Sequence, residues 1–334
     1  MSNTRFDVIA LGNAIMDVIA SVDDQFLTEN DIAKARMNLI DQERCDFLYN
    51  VLPVDKVETS GGSAGNTIAG LLSFGAKAAF MGKVADDEIG QAYVNDMENI
   101  GATFSGSPLK TGVATARSMI AVTPDGERSM NTFLGASTEF TAEDVDSDLI
   151  SNSEWLYLEG YLFDKPAAKS AFIRASEIAK KSGRKVAVTL SDVFCVERHR
   201  EAFRDLVKNY VDLVFANEEE LLALYEVQQF DVAADLLKKE TEFAAITRSA
   251  KGSVIIENET RMNIPTKPIE KVVDATGAGD AYAGGFFFGL SQGLNLDTCA
   301  RLGHLAASEV ISHYGPRPEA DLKDMAIKAG LIQA

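Results

Sequence analysis

The sequence predicts an α/β fold: a mostly parallel sheet with helices on both faces, and a small β-sheet projecting from it as a lid. Three observations predict it. Short apolar runs alternate with helical patterns through the second half of the chain. Two strand-rich pieces, near 14–45 and 110–135, interrupt that alternation. The length, 334 residues, fits one large α/β domain able to bury its own core.

The elements follow in order. Residues 6–11 form an apolar run ending in Gly12-Asn13, a buried first strand that delivers a loop. Residues 18–22 and 37–40 read as short strands, and the Asp-rich piece between them accommodates no helix of ordinary length. Gly61-Gly62-Ser63-Ala64-Gly65-Asn66 precedes an apolar helix over 67–74. A strand over 77–84 and a helix over 88–100 come next. Residues 112–123 and 128–134 pair as a hairpin around Pro124-Asp125-Gly126. Strands then fall at 155–160, 185–190, 212–216, 243–248 and 253–257. Helices fall at 165–181, 197–208, 217–225 and 230–239, and the chain from Gly277 onward reads as helical. The whole chain, 1–334, reads as one domain, with the lid pieces inserted into the α/β body.

Charge and composition narrow the function. A net charge of -18 opposes general nucleic-acid binding and docking on anionic membranes. Cys45, Cys195 and Cys299 are odd in number and widely spaced, which fits small buried hydrophobes in a reducing compartment. The N-terminus lacks a basic segment followed by an apolar stretch, and residues 281–290 are too short and glycine-rich to span a bilayer. The expectation is a cytoplasmic protein.

The segment richest in chemistry is Asp274-Ala275-Thr276-Gly277-Ala278-Gly279-Asp280-Ala281-Tyr282-Ala283-Gly284-Gly285-Phe286. The first turn of a helix has backbone N–H groups without intrahelical partners, at the positive end of the dipole. Gly277, Ala278 and Gly279 can therefore cradle an anion. Asp280 beside them repels phosphate but can take a proton from a hydroxyl attacking phosphorus. No GK[ST] follows the glycines, so the segment is not a Walker A loop, and it lacks a dinucleotide GxGxxG pattern.

This segment resembles a signature of the ribokinase (PfkB) family of carbohydrate and nucleoside kinases. The family's other signature has its counterpart in Gly61 to Asn66, and its Asn-x-x-Glu in Asn217-Glu218-Glu219-Glu220. Within the family the chain is most similar to the adenosine kinases. Gly12-Asn13-Ala14-Ile15-Met16-Asp17 resembles their N-terminal element, Glu159-Gly160-Tyr161-Leu162-Phe163 a segment that carries aromatics to the purine, and residues 301–308 a C-terminal helix.

The resemblance implies a ribokinase-like, doubly wound α/β body with a small β lid, ATP as co-substrate and Mg²⁺ as cofactor. Asp280 is implied as general base, with the anion turn at Gly277, Ala278 and Gly279. Asn13, Asp17 and Asn66 are implied at the ribose, with Gly61, Gly62 and Ser63 letting the sugar lie against the backbone. Tyr161, Phe133 and Phe163 are candidates for the base, and each reads equally as core. Asn217 and Glu220 are implied to organise Mg²⁺ through water; the same spacing is also a helix capping box. Thr247, Arg248, Ser249 and Gly252 occupy the place of the family's ATP loop, with Ser249 standing where a glycine is usual. His304 is implied to border the adenine. Arg128 resembles a lid arginine that reaches the transferring phosphate, and Arg117 is a weaker version of it. Asp274 and Thr276 match part of a monovalent-cation (K⁺) site, completed by carbonyls near Gly315.

The expected reaction is transfer of phosphate from ATP to the 5′-hydroxyl of adenosine. The same chemistry on ribose, fructose or another nucleoside is the nearest rival. A non-catalytic nucleotide-binding protein is the rival from another class, opposed by the intact Asp280 and anion turn. Partners are small molecules, not nucleic acid or membrane, and monomer and homodimer both stay open.

Overall fold

Short runs of valine, isoleucine, leucine and alanine pack best as strands between two layers of helix. The computed structural model describes residues 5–110, 112–269 and 271–333. Its strands are β1 (Phe6–Leu11), β2 (Ile15–Ser21), β3 (Met37–Leu39), β4 (Val57–Gly61), β5 (Ala78–Met81), β6 (Thr103–Ser105) and β7 (Ala116–Val122). They continue with β8 (Arg128–Phe133), β9 (Ser153–Glu159), β10 (Lys185–Thr189), β11 (Leu213–Asn217), β12 (Phe243–Thr247), β13 (Ser253–Glu257) and β14 (Thr260–Ile264). A nine-stranded sheet has the order β14-β13-β12-β11-β10-β9-β1-β5-β6, and a five-stranded sheet the order β3-β8-β7-β2-β4.

In the large sheet β1 lies parallel to both β5 and β9, and β9 to β12 continue in parallel. Only β13 is reversed, pairing antiparallel with β12 on one side and β14 on the other. The chain winds outward in both directions from β1, so a crevice opens at the carboxyl ends of the strands there. Alternation along β1 feeds two cores: Val8 and Ala10 face one, Ile9 and Leu11 the other. Helices Ser63–Ser73, Glu88–Asn99, Ala278–Ser291 and Leu296–Val310 cover the first; Pro166–Lys181, Val193–Tyr210, Glu218–Tyr225 and Phe230–Leu237 cover the second. Each fully buried leucine contributes roughly 1.5–3 kcal/mol. The doubly wound body is therefore present as predicted.

The helix Ala278–Ser291 approaches its neighbours closely because its inner face carries glycines. A Cβ on Gly284 would lie 2.9 Å from the Thr67 carbonyl oxygen, and one on Gly285 2.5 Å from that of Leu302.

The smaller sheet draws on three segments rather than the two expected. β4 pairs antiparallel with β2, extending the sheet beyond residues 14–45 and 110–135. Its sequence, Val-Glu-Thr-Ser-Gly, shows no apolar alternation, and its first two residues are exposed. Edge strands β6 and β14 escaped the sequence reading for the same reason: they are short or polar and largely half-buried. The Asp-rich piece after β2 forms a six-residue helix, Asp24–Glu29, capped by Asp23. Cys45, Cys195 and Cys299 are all buried. Among the described residues no helix is long and apolar enough to cross a membrane.

Candidate active site

The carboxyl ends of β10, β11 and β12 meet the N-terminus of the helix Ala278–Ser291 around a cleft of 660 Å³. Gly277 caps that helix with φ 76 and ψ 0, the left-handed region open to glycine. Pro316 also presses on it: a Cβ there would fall 2.6 Å from Pro316. The first helical bond runs from the Ala281 N–H to the Gly277 carbonyl at 2.8 Å, and the cap makes no side-chain bond. Gly279 is exposed and lines the cleft, as an anion cradle requires. The Ala278 N–H is partly engaged, donating to the Ala275 carbonyl at 3.3 Å.

Asp280 is the third residue of this helix and projects into the cleft. The Ser63 hydroxyl donates to its Oδ1 at 2.6 Å, and the Asn66 amide to its Oδ2 at 3.4 Å. Burial pushes its pKa up to about 6, and the two donors hold it back from rising further. The carboxylate is thus close to neutrality in proton affinity, as a general base acting near pH 7 needs to be.

Beyond Asp280 the predicted acceptor residues are closed off from solvent. Asn13, Asp17 and Asn66 are 2%, 7% and 6% exposed. β4 brings Gly61 so near Asp17 that a Cβ would lie 2.4 Å from its carboxyl carbon; only a glycine fits. Burial raises Asp17 to about 6, against the opposing pull of Arg128 and Arg317. Gly62 caps the helix Ser63–Ser73, which carries Ser63 and Asn66 toward Asp280.

Sequence reasoning missed Glu159 as a site residue. It ends β9 at 1% exposure and accepts from the Asn13 side chain at 2.9 Å, the Asn13 N–H at 3.3 Å and the Ala64 N–H at 2.8 Å. Burial raises its pKa to about 7. It ties the loop after β1 to the glycine-rich loop, while Asn13 Oδ1 keeps no protein partner. The available signal was a single carboxylate closing the apolar run Trp155-Leu156-Tyr157-Leu158.

On the nucleotide side, Thr247, Ser249 and Gly252 line the cleft with Asn217 and Glu220. Ser249 adopts φ 50, the conformation a glycine would hold without strain. Arg248 does not line the cleft. Its guanidinium pairs with Glu218 at 2.7 and 3.0 Å and lies 3.8 Å over the Phe230 ring, so it is a structural residue of the loop. Asn217 and Glu220 form the capping box in full: Glu220 N–H to Asn217 Oδ1 at 2.8 Å, Asn217 N–H and amide to Glu220 at 3.0 and 2.6 Å. Burial raises Glu220 to about 7. Both carboxylate oxygens are already engaged, and among the described residues no group of three or more His, Cys, Asp or Glu side chains could hold a metal. The pair fits Mg²⁺ through water, not as direct ligands.

His304 lines the cleft 5.4 Å from the Tyr282 ring, with neither ring nitrogen bonded to protein. Burial, then Arg301, lowers its pKa to about 4, so it is neutral at pH 7. The three aromatics expected at the base divide. Tyr161 does not line the cleft; it donates its N–H to the Ser191 hydroxyl at 3.1 Å and its own hydroxyl to the Ser191 carbonyl at 3.3 Å, and Ser191 does line it. Phe163 stacks on Phe203 at 4.7 Å in the second core, and Phe133 packs in the first. Both are core residues because no polar tip draws them outward.

Arg128 leaves the smaller sheet to pair with Asp274 of the anion turn, and both side chains are buried. Its Nε and Nη2 have no protein partner. Burial works against the Asp274 charge, but the Thr276 N–H at 2.9 Å, Arg128 and the Gly315 N–H at 3.0 Å hold its pKa below the ordinary value. These donors leave Asp274 a poor fit for the expected monovalent cation, which would face a guanidinium and two N–H groups. Arg117 points elsewhere, paired with Asp46 and lying over Tyr49.

The chain is similar to known kinases along most of its length. The pattern described as pfkB family carbohydrate kinase matches residues 7–322. The adenosine kinase of Saccharomyces cerevisiae is 26% identical over 332 residues, covering 92% of this chain and 96% of that protein. Among solved structures, the adenosine kinase from Sinorhizobium meliloti is 49% identical with a TM-score of 0.89, covering 97% of this chain and 99% of that one. A probable sugar kinase protein from Rhizobium etli CFN 42 is 47% identical with a TM-score of 0.90, covering 98% and 100%.

Proposed function

The chain belongs to the pfkB family of carbohydrate kinases and is a phosphotransferase acting on a hydroxyl group; from that premise we propose that its acceptor is the 5′-hydroxyl of adenosine, with ATP as donor and AMP and ADP as products. The observation that carries this reading is the meeting of Asp280, at the edge of the cleft, with Ser63 and Asn66 beside the buried Asp17. Likeness to adenosine kinases along the whole chain supports the nucleoside.

Asp17 and Asn66 hold the ribose hydroxyls; a carboxylate accepts from two neighbours, and an amide donates and accepts. ATP lies along Thr247, Ser249 and Gly252, with its adenine near the neutral His304 and Tyr282. Asn217 and Glu220 would hold Mg²⁺ through water, where the ion would neutralise phosphate charge. Asp280 takes the 5′-hydroxyl proton as that oxygen attacks the γ-phosphorus. The turn at Gly277 to Gly279 stabilises the phosphoryl group in transfer. Arg128 brings its two unbonded donors from the smaller sheet, which acts as the lid and keeps water from competing as acceptor.

Phosphorylation of a free sugar is the second reading, favoured by the placement of Phe133 and Phe163 in cores and by likeness to the Rhizobium protein. An ATP-consumption assay with Mg²⁺ across adenosine, inosine, guanosine, cytidine, ribose and fructose separates the two. Preference for adenosine with AMP formed supports the proposal. Preference for ribose or fructose replaces it with the second reading.

A further inference from the structure

We propose that Arg317, outside every motif of the family resemblance, is a positioning residue that fixes the orientation of the Asn66 amide toward Asp280 and the acceptor. The inference rests on the kinase reading above and adds a residue to it.

Arg317 follows Gly315 and Pro316, both of which touch the anion turn: the Gly315 N–H bonds Asp274, and Pro316 packs on Gly277. Its side chain then runs beneath the acceptor site at 14% exposure. Two anchors fix the guanidinium. Nη2 donates to the Ser60 hydroxyl at 2.8 Å, and Nη1 to Asp96 Oδ2 at 3.3 Å. Asp96 is itself held by the Ser60 N–H at 2.8 Å. With the fork placed, Nε points at Asn66 Oδ1 at 3.4 Å.

An arginine only donates, and an ionised carboxylate only accepts. Asn66 lies between one of each, so a single amide orientation satisfies both neighbours. Oδ1 faces Arg317 and the NH₂ faces Asp280 Oδ2. The reversed amide would set its oxygen against the carboxylate and its NH₂ against the guanidinium. Arg317 thereby keeps one donor on the base and fixes which part of Asn66 meets a ribose hydroxyl. If Arg317 were only a strut between Ser60 and Asp96, its loss would not depend on what stands at position 66.

The test is a double-mutant cycle with Arg317→Met, Asn66→Ala and both together, reading kcat and both KM values. Arg317→Met is expected to lower kcat/KM for the acceptor about tenfold, as loss of a charged hydrogen-bonding partner does, and to leave the KM for ATP near wild type. In the Asn66→Ala background the same change is expected to cost less than about twofold. Equal losses in both backgrounds, or an equal rise in the KM for ATP, would overturn the proposal. Should Arg317→Met fail to fold, Arg317→Lys carries the same cycle, since it keeps charge beside Asp96 but lacks the Nε–H. If wild type prefers a free sugar, the adenosine reading fails while the cycle, run on that sugar, still decides this one. A wild-type chain inert toward every acceptor removes both.

Discussion

The two sheets of this molecule differ in how much polar side chain they bury. In the nine-stranded sheet, Val8, Ile9, Ala10 and Leu11 of β1 and Ala244, Ala245 and Ile246 of β12 are wholly enclosed and apolar. In the five-stranded sheet, β7 and β8 enclose Arg117, Ser118, Arg128, Ser129, Asn131 and Thr132, and Ser118 and Thr132 pair their hydroxyls at 2.8 Å. An apolar interior places polar groups at the ends of its strands, where Glu159 and Asn217 stand. The smaller sheet buries polar side chains beside its apolar ones, and Asp17 within β2 and Arg128 at the start of β8 come from it. The first region should therefore govern the chemical step, and the second acceptor binding and closure.

The sharpest way to test that division is Asp280→Asn at the end of the large sheet. It should lower kcat by about 10²–10⁴-fold while nucleoside binding, measured by calorimetry, changes little; near-normal kcat would end its assignment as base. Next is Arg128→Ala from the smaller sheet. It leaves Asp274 buried without its cation, so we expect a loss of roughly 3–5 kcal/mol in stability and of about 10²-fold in kcat/KM. Denaturant titration and steady-state kinetics read the two effects. Asp17→Asn should raise the KM for the acceptor by about tenfold or more, with the KM for ATP unmoved. If the ATP constant moves equally, the two regions are not separable in this way.

A pH series sets the regions against each other in one experiment. Asp17 and Asp280 stand near 6, Glu159 and Glu220 near 7, all raised by burial. The folded chain therefore binds protons that the unfolded chain has already released, and stability should rise as pH falls from about 7.5 toward about 5. His304, lowered to about 4, opposes that trend with one group. Activity moves the other way: kcat/KM should fall about tenfold per unit once Asp280 protonates below about pH 6. Stability and activity falling together would contradict these assignments. At the small end, Lys34 joins Asp24 and Asp125 on the exposed rim of the smaller sheet. Lys34→Ala should leave both the denaturant midpoint and kcat nearly unchanged.

The body was legible because its strands are apolar runs of ordinary length and its helices carry regular periods. The helix start at Gly277 was legible because closely spaced glycines lead directly into an apolar helix. What escaped lacked such patterns. β4 is polar and half-exposed, so its pairing with β2 rests on long-range contact rather than local propensity. Arg317 lies in the irregular run Tyr314-Gly315-Pro316-Arg317-Pro318, where no period marks a buried side chain. Phe163 and Phe133 went to the cores because a sequence does not say on which side of a sheet an aromatic falls. Arg248 was assigned from its place in a loop, but its neighbours Glu218 and Phe230 decide where its charge goes.

The close contact at Gly284 has a mechanical consequence. The Thr67 carbonyl oxygen and the Leu71 nitrogen lie 2.9 and 3.0 Å from where a Cβ would be, so main chain rests on main chain between the helix bearing Asp280 and the helix bearing Ser63 and Asn66. Flexible side chains would give such a joint play; backbone gives almost none. The gap between Asp280 and the Ser63–Asn66 turn is thus gauged by the covalent skeleton itself, and one added methyl group at Gly284 acts as a shim that forces it wider.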